Sequence, residues 1–193
     1  GENYDRIIFT STRPQAKGDE DSPITGLKNG DLFTSSKDEK GKWKPVEELQ
    51  GEVNTELDEG APGITPDGQT MYLTVCPVDE QYPRCAEIHS SARSDATWAK
   101  PVKLEITSDT LSSYAHPAVS PDGQWLYFVS DMPGGLGGMD IWRMQLSEHG
   151  AGVIENLGAP INTEGDEMFP TFRPNGDLYF SSNGHVGMGG LDI

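Results

Sequence analysis

Two short segments of the sequence each end in an Asp-Glu pair, which follows an asparagine, a threonine and a further glutamate. Residues 54–59 read Asn-Thr-Glu-Leu-Asp-Glu, and residues 162–167 read Asn-Thr-Glu-Gly-Asp-Glu. Paired carboxylates can act as a general acid and base, supply oxygen ligands to Ca²⁺, or form a negative surface that attracts a basic partner. Acidic residues are plentiful in this chain, so the pairs by themselves do not choose among these chemistries.

Aromatic side chains align with the carboxylate pairs when the sequence is compared with itself. Tyr114 takes the place of the second carboxylate, and His116 takes the same place as Phe169. One interpretation is structural, with the threonines and acids binding backbone amides of their own loop. The other is a recognition surface for a basic or extended partner segment. The predicted partner-binding residues are Asp58, Glu59, Tyr114, His116, Asp166, Glu167 and Phe169.

Metal, cofactor and catalytic chemistry have less support. The acidic segments lack the Asp-x-Asp-x-Asp-Gly spacing, so Ca²⁺ is the less favoured interpretation of them. None of the four histidines has a serine or cysteine partner in a nucleophile-elbow context, and no His-Glu-x-x-His motif occurs. We therefore predict no metal, no cofactor and no enzymatic activity.

Glycine-rich stretches occupy residues 134–138 and 184–190. A phosphate cradle needs a helix after the loop, whereas both stretches lead into predicted strands. Glycine that supplies a positive φ in a hairpin loop is the better explanation. Asp140 and Asp192 each follow the last glycine by two residues, so we expect their carboxylates to accept hydrogen bonds from loop amides.

The two cysteines, Cys76 and Cys85, stand at the two ends of an eight-residue loop. A disulfide between them would stiffen a loop that lacks glycine and would indicate an oxidising compartment. Free or metal-bound thiols are the alternatives, although structural zinc needs about four ligands and His89 is the one nearby imidazole. We predict the disulfide.

Composition limits the partners. The chain has 193 residues, a formal net charge of −17, and 37 glycines and prolines (23 + 14). This length fits one domain rich in turns. The negative charge disfavours nucleic acid and anionic lipid as partners. No apolar run approaches the ~18 residues of a membrane span, so we predict no direct membrane insertion.

A repeat organises the whole chain. A Pro-x-x-x-Pro-Asp-Gly or Pro-x-x-x-Pro-Asn-Gly string occurs at 62–68, 117–123 and 170–176, with spacings of 55 and 53. An apolar burst follows each string. Leucines at 49, 104 and 157 and threonines at 55, 110 and 163 keep the same register. Many columns in one register indicate tandem structural units.

Each unit is predicted to contain four strands. In the third unit, strand a covers 117–120, strand b 125–130, strand c 140–147 and strand d 153–157. The segment Ser120-Pro-Asp-Gly123 is typical of a type I turn. Four-stranded units of about 54 residues with no helical period predict an all-β fold, a β-propeller. The b–c and d–a connections should then share one end of the blades, and the Pro-Asp-Gly turns should lie at the other.

The number of blades does not close a ring. The predicted blades are 1–58, which lacks strand a, then 59–113 and 114–166, and a truncated blade at 167–193. Because 193 divided by 54 is 3.6 and propellers typically have ~4–8 blades, we interpret the chain as an incomplete fragment of a larger propeller, of five or six blades.

The string from Ser120 to Trp142 resembles the PD40 repeat, which is WD40-like and of the TolB type. Gly-Gly-Leu-Gly-Gly-Met-Asp-Ile at 134–141 and the stretch 180–193 resemble more closely the propellers of PorE-type, OmpA-family periplasmic lipoproteins of the Bacteroidota type IX secretion system.

This resemblance implies a periplasmic, non-catalytic interaction scaffold, anchored to the outer membrane in the full-length protein. It implies envelope or secretion-system proteins as partners at the acidic loops, and peptidoglycan contact only through a further domain absent from these residues. The alternatives are a TolB-like adaptor that binds an extended partner peptide, or the gating propeller of a peptidase or glycan hydrolase.

Overall fold

A computed structural model describes residues 5–17, 28–77, 86–109, 111–147 and 150–193, together with the side chains of these residues except at 150 and 151. Within these residues the chain forms antiparallel strands joined by turns and loops, with no helix. The strands build successive sheets in chain order, one sheet for each sequence repeat, which confirms the all-β prediction.

The sheets are simple antiparallel meanders. The first contains β1 (Arg6–Ser11), β2 (Asp31–Ser36) and β3 (Glu47–Glu48). The second contains β4 (Asp58–Ile64), β5 (Thr70–Cys76) and β6 (Glu87–Ser94), with the short strands β7 (Thr97–Trp98) and β8 (Val102–Lys103) both paired to β6. The third contains β9 (Tyr114–Val119), β10 (Trp125–Ser130), β11 (Asp140–Ser147) and β12 (Gly150–Asn156). The fourth contains β13 (Glu167–Phe172) and β14 (Leu178–Ser182).

The sheets pack face to face around buried apolar side chains. Between the first and second sheets the core includes Leu32, Leu49, Met71, Leu73 and Trp98. Between the second and third sheets the core includes Ile88, Leu126, Phe128, Trp142 and Met144. The central strand β5 is therefore covered on both faces, with Met71 and Leu73 in the first core and Tyr72 packed against the second. The first strands of successive sheets, β4, β9 and β13, are neighbours in space. This arrangement is a partial β-propeller.

The two ends of the blades differ as predicted. At one end, amides of Gly68, Gly123 and Gly176 close the Pro-Asp-Gly or Pro-Asn-Gly turns by donating to Thr65, Ser120 and Arg173 carbonyls at 2.8, 2.8 and 3.0 Å. We call this end the turn face. At the other end, the Gly138 amide donates to the Gly165 carbonyl at 2.9 Å. The b–c and d–a connections thus share the opposite end, which we call the loop face.

Strand limits agree with the sequence prediction for the two central strands of the third blade, at 125–130 and 140–147. The prediction was wrong for the inner strand, which begins at Tyr114 rather than at residue 117, and the outer strand covers 150–156 rather than 153–157. An extra residue in β9 lets pairing resume beyond Pro117, so Ala115 pairs with Val129 and Tyr114 with Ser130.

This shift moves six predicted partner-binding residues from connections into strands. They are Asp58 and Glu59 in β4, Tyr114 and His116 in β9, and Glu167 and Phe169 in β13. Asp166 immediately precedes β13. Strand pairing fixes the backbone at these positions, so which side chains face solvent depends on the pleat and not on loop geometry.

Candidate functional site

The second carboxylate of each repeated acidic pair is buried. Glu59 is 1% exposed and Glu167 is 0% exposed. The Thr163 amide donates to Glu167 Oε2 at 2.8 Å, and the hydroxyls of Thr163 and Ser182 both donate to Oε1 at 2.6 Å. In the second blade the Thr55 amide donates to Glu59 Oε2 at 3.1 Å and the Thr55 hydroxyl donates to Oε1. These carboxylates thus bind the connection that precedes each inner strand to that strand.

The asparagine that opens each repeated segment holds a strand of the preceding blade. Leu32 donates its amide to Asn54 Oδ1 at 2.9 Å, and Asn54 Nδ2 donates to the Leu32 carbonyl at 3.0 Å. Asn162 makes the same pair of bonds to Ile141, at 2.8 and 2.9 Å. Sequence reasoning missed this role, although the repeated Asn-Thr-Glu-x-Asp-Glu string carried its signal.

The first carboxylate of each pair binds the loop of a neighbouring blade. Asp58 Oδ1 accepts the Gly30 amide at 2.7 Å. Asp166 Oδ1 accepts the Met139 amide at 2.9 Å, and Asn183 Nδ2 donates to Asp166 Oδ2 at 3.0 Å. Both aspartates are half-buried. The structural interpretation of the pairs, in which they bind backbone amides, therefore describes the contacts that these four carboxylates make.

Tyr114 occupies the glutamate position of the third blade and is 8% exposed. Its hydroxyl lies 2.7 Å from the Thr107 Oγ1 atom. The phenol thus replaces a buried carboxylate with a neutral group that still contacts a threonine of the preceding connection. Its ring lies 6.1 Å from the Phe128 ring and belongs to the core.

A left-handed residue interrupts each inner strand at the same repeat position. Ala61, His116 and Phe169 have φ values of 43°, 51° and 55°, and we call these three residues the bulge row. In each case the inner strand carries one more residue than its partner strand, and a proline follows the left-handed residue. Non-glycine residues rarely adopt such φ values, and three at one repeat position mark a designed bulge.

Two amides of the bulge row, those of His116 and Phe169, contact the preceding blade. The His116 amide donates to the Thr74 hydroxyl at 2.9 Å, and the Phe169 amide donates to His116 Nδ1 at 3.4 Å. The imidazole of His116 stacks on the phenyl ring of Phe169, with centroids 3.9 Å apart and 23° between the planes. Phe169 is 50% exposed, so one face of this aromatic pair meets solvent.

Burial shifts the pKa values of two residues in the inner strands. It lowers the pKa of His116 to about 4, so this imidazole is neutral near pH 7 and can accept a hydrogen bond at Nδ1. Burial raises the pKa of Glu59 to about 7, and the charges of Asp31 and Asp58 act in the same direction, against the opposing hydrogen bonds from Thr55. The carboxyl of Glu59 is therefore protonated in a substantial fraction of molecules at neutral pH.

The exposed acids of the loop face are different residues from those selected by sequence. Glu56 and Glu164 occupy the third position of the repeated acidic segment, and both are exposed. The sequence prediction selected the Asp-Glu pair that follows them, because the repeat does not show which acids of each segment become buried when the inner strand forms. Because Glu56 and Glu164 share one repeat position, knowing that one of them is exposed would have predicted the exposure of the other.

Two further sequence predictions concern the aspartates after the glycine-rich loops and the disulfide. Asp140 accepts the amides of Leu136 and Gly137, and Asp192 accepts the Gly189 amide at 3.1 Å, which confirms their predicted role. Cys85 lies outside the described residues, so the disulfide with Cys76 stays a prediction.

Among the residues that the structure describes, no three side chains of His, Cys, Asp or Glu converge in a way that could hold a metal ion. The same part of the chain contains no helix with the length and hydropathy of a membrane span.

Several solved structures are similar to this chain. They include a putative TolB from Agrobacterium tumefaciens (24% identity, TM-score 0.48, 78% of this chain) and an alpha-L-arabinofuranosidase from Lactobacillus brevis (11% identity, TM-score 0.51, 96% of this chain). A puromycin-hydrolyzing peptidase from Mycobacterium tuberculosis matches at 18% identity and a TM-score of 0.49 over 86% of this chain. The chain spans 50%, 64% and 24% of these three proteins, respectively. At such identities the similarity concerns the fold. No protein-family model and no curated protein matches the chain.

Proposed function

We propose that this chain is a non-catalytic protein-interaction propeller of the bacterial periplasm, whose loop face binds a basic or extended segment of an envelope protein. The observation that carries the proposal is that the acids of each repeated segment differ in exposure. Glu59 and Glu167 are buried and bound within the chain, whereas Glu56 and Glu164 of the same segments are exposed to solvent. A net charge of −17 adds long-range attraction for a basic partner.

The aromatic pair adds an exposed apolar surface on the inner strand β13, which follows the second acidic segment. Phe169 is half-exposed and is held in place by its stack on His116 and by the bulge. A fixed aromatic ring loses little side-chain entropy when it binds, and aromatic residues are enriched where binding energy concentrates. We infer that Phe169 is the apolar anchor of the surface and that the acids form its charged rim.

The absence of catalysis is part of the proposal. His89 contacts Glu87 at 3.2 Å, His116 stacks on Phe169, and His185 lies 3.0 Å from the Ile161 carbonyl. These contacts are structural in kind. His149 lies outside the described residues.

The finer assignment within the envelope rests on sequence. The strings at 134–141 and 180–193 support a PorE-type component of a type IX secretion complex, anchored to the outer membrane and joined to peptidoglycan by a further domain. A TolB-like adaptor is the alternative. Reading the gene on either side of this segment tests the choice, because an OmpA-like domain downstream supports the first and an α/β-hydrolase segment contradicts both.

The binding surface can be tested with charge-neutral variants. The probe is a lysine-rich unstructured peptide with a fluorescent label, titrated at low salt and read by anisotropy. Glu56→Gln with Glu164→Gln should weaken binding several-fold by removing two charges of the loop face. Glu47→Gln with Asp95→Asn is the matched control, since it removes the same charge from exposed positions outside that face.

The outcome separates a site from bulk charge. Equal losses in the two double variants would mean that the peptide senses net charge alone, and the proposal would fail. Phe169→Asn, which keeps a residue tolerant of a left-handed φ, should weaken binding further without unfolding the chain.

A further inference from the structure

A cavity of about 600 Å³ lies between the first and second blades, where the chain approaches the turn face. Its walls come from β1, β4, β6 and β7, with one residue from β13. Gly68 of the first Pro-Asp-Gly turn also lines it. The volume lies within the range of small-molecule sites, and the cavity is separate from the loop face and its acids.

The charge of this cavity is opposite to that of the chain. Among the described residues that line it, Arg6 and Arg93 are the charged ones, and none is acidic. The chain has six arginines and a net charge of −17, so two arginines without a carboxylate in one cavity are unexpected. The neighbouring Asp67 is bound within its own turn, where it accepts the Thr65 hydroxyl and the Gln69 amide.

The guanidinium of Arg93 has unused hydrogen-bonding capacity. Its Nε atom is buried and has no hydrogen-bond partner. The guanidinium carbon lies 5.7 Å from the centroid of the Trp98 ring, which holds the side chain against the cavity wall. A buried donor without a partner is costly, so the described residues do not fully satisfy this guanidinium. Within the described ranges, neither Arg6 nor Arg93 forms an ion pair.

Arg6 approaches from the first blade. Its Nε donates to the Thr34 hydroxyl at 3.0 Å, which orients the guanidinium at the start of β1. A guanidinium presents five donors in a planar fork that matches the two oxygens of a carboxylate. Arg6 and Arg93 line the same cavity from separate blades, so a bound anion would meet positive charge on two of its walls.

The remaining walls are apolar. Besides the two arginines, Gly68 and Thr171, the lining residues are Ile8, Pro62, Ile64 and Trp98. A bare inorganic anion would leave these walls without a partner, whereas an acid with an apolar body would bury them.

We propose that this cavity binds an organic carboxylate with an apolar body, its carboxylate on the guanidinium groups of Arg6 and Arg93 and its body against Ile64 and Trp98. A free small acid and the C-terminal residue of a peptide share this chemistry. The proposal does not depend on the loop-face function, because it concerns other residues and a ligand of opposite charge.

Binding can be measured by calorimetry, with Trp98 fluorescence as a second readout. The probes are N-acetyl-leucine, N-acetyl-leucinamide, a short peptide that ends in leucine, its C-terminal amide, and inorganic phosphate. Each acid should bind at least tenfold more tightly than its amide, since amidation removes the charge that the arginines recognise. Phosphate should bind more weakly than either acid.

The two sources are separated in the same experiment. If the peptide acid binds much more tightly than N-acetyl-leucine, a chain terminus is the natural ligand. If the two bind alike, a small acid is the ligand. Either result supports the carboxylate site. No binding of the acids, equal binding of acid and amide, or tighter binding of phosphate would overturn it.

Variants connect the binding to the two arginines. Arg93→Gln and Arg6→Gln should each reduce the affinity for the acids about tenfold or more. Arg93→Lys should recover only part of the loss, because lysine lacks the planar fork. Arg173→Gln is the matched control, since Arg173 stacks on Tyr179 and does not line the cavity.

Folding and the loop face provide independent checks. Near-ultraviolet circular dichroism reports whether each variant keeps its packed tryptophans. Arg93→Gln should leave binding of the lysine-rich peptide unchanged, so a failure of this site and a failure of the loop-face proposal are distinguishable. Folded Arg93→Gln protein that binds the acids as well as the unaltered chain would rule out the assigned role.

Discussion

The imidazole of His116 lies nearly parallel to the phenyl ring of Phe169, with ring centroids 3.9 Å apart, and its Nδ1 atom accepts the Phe169 amide at 3.4 Å. The two residues occupy the same repeat position in adjacent blades, and both have a left-handed φ. One side chain therefore satisfies the backbone of the next bulge and packs against its ring. This contact joins the third blade to the fourth at the inner strands.

Protonation of His116 should destabilise the fold. Its pKa is about 4 in the folded chain and near 6.5 when unfolded. The unfolded state therefore binds the proton more readily, and stability present above pH 6.5 is lost as the pH falls toward 4, by about 3 kcal/mol at most. Protonation would also remove the Nδ1 acceptor from the Phe169 amide.

His116→Asn is the matched variant, because asparagine tolerates the left-handed φ and does not titrate. Urea unfolding of both proteins between pH 4 and pH 7 gives the difference in unfolding free energy. The unfolding free energy of the unaltered chain minus that of the variant should decrease as the pH falls, because only the unaltered chain has an imidazole to protonate at this position. A difference independent of pH would contradict the buried neutral imidazole.

Glu59 should produce the opposite slope. Its pKa is about 7 in the folded chain, against 4.5 when the side chain is exposed in the unfolded state. Its contribution is fully present below pH 4.5 and is lost as the pH rises toward 7, because the unfolded state ionises first. Glu59→Gln removes this titration, so the variant should gain up to about 3 kcal/mol relative to the unaltered chain across that interval.

Thermal or urea unfolding at pH 4.5 and pH 7.5 measures the gain. Glu56→Gln, at an exposed position of the same segment, is the matched change of charge, and the effect at Glu59 must exceed it. A gain that is equal for both variants would mean that general charge repulsion, rather than burial of Glu59, controls the pH response.

Glycine should stabilise the bulge of the second blade. Ala61 has a φ of 43°, which costs an L-residue roughly 1–2 kcal/mol, whereas the added unfolded-state entropy of glycine costs about 0.4–1 kcal/mol. Ala61→Gly should therefore raise the unfolding free energy by up to about 1.6 kcal/mol. Ala115→Gly, in an inner strand outside the left-handed region, should lower it, and equal signs for the two substitutions would contradict the strain.

Loss of the Asn162 side chain should be severe. Asn162→Ala leaves the amide of the fully buried Ile141 without its partner, whereas the Ile141 carbonyl keeps the Leu157 amide at 3.2 Å. An unsatisfied buried group costs about 1–3 kcal/mol and a lost hydrogen bond about 0.5–1.5 kcal/mol, so the variant should lose roughly 2–4 kcal/mol. Asn175→Ala, in an exposed turn, is the control and should change stability little. Chemical denaturation measures the unfolding free energy of both variants. Similar losses in the two variants would contradict a stabilising role for the hydrogen bonds between Asn162 and Ile141.

Much of the fold could be predicted from the repeat. The spacing of the Pro-Asp-Gly strings and of the apolar bursts depends on local turn chemistry and on strand burial, and both are written into adjacent residues. The limits of β10 and β11 and the roles of Asp140 and Asp192 follow from such local signals.

The orientation of the site residues was decided by tertiary structure. Sequence could not tell that Glu59 is buried while Glu56 is exposed, because Glu59 is buried within β4 and bound by Thr55, whereas Glu56 lies in the connection before that strand. The bulge itself depends on the preceding blade, where Thr74 accepts the His116 amide. Arg6 and Arg93 meet at one cavity only because separate blades pack together. Short-range turn and burial preferences thus determine the blades, whereas contacts between blades determine what their surfaces can bind.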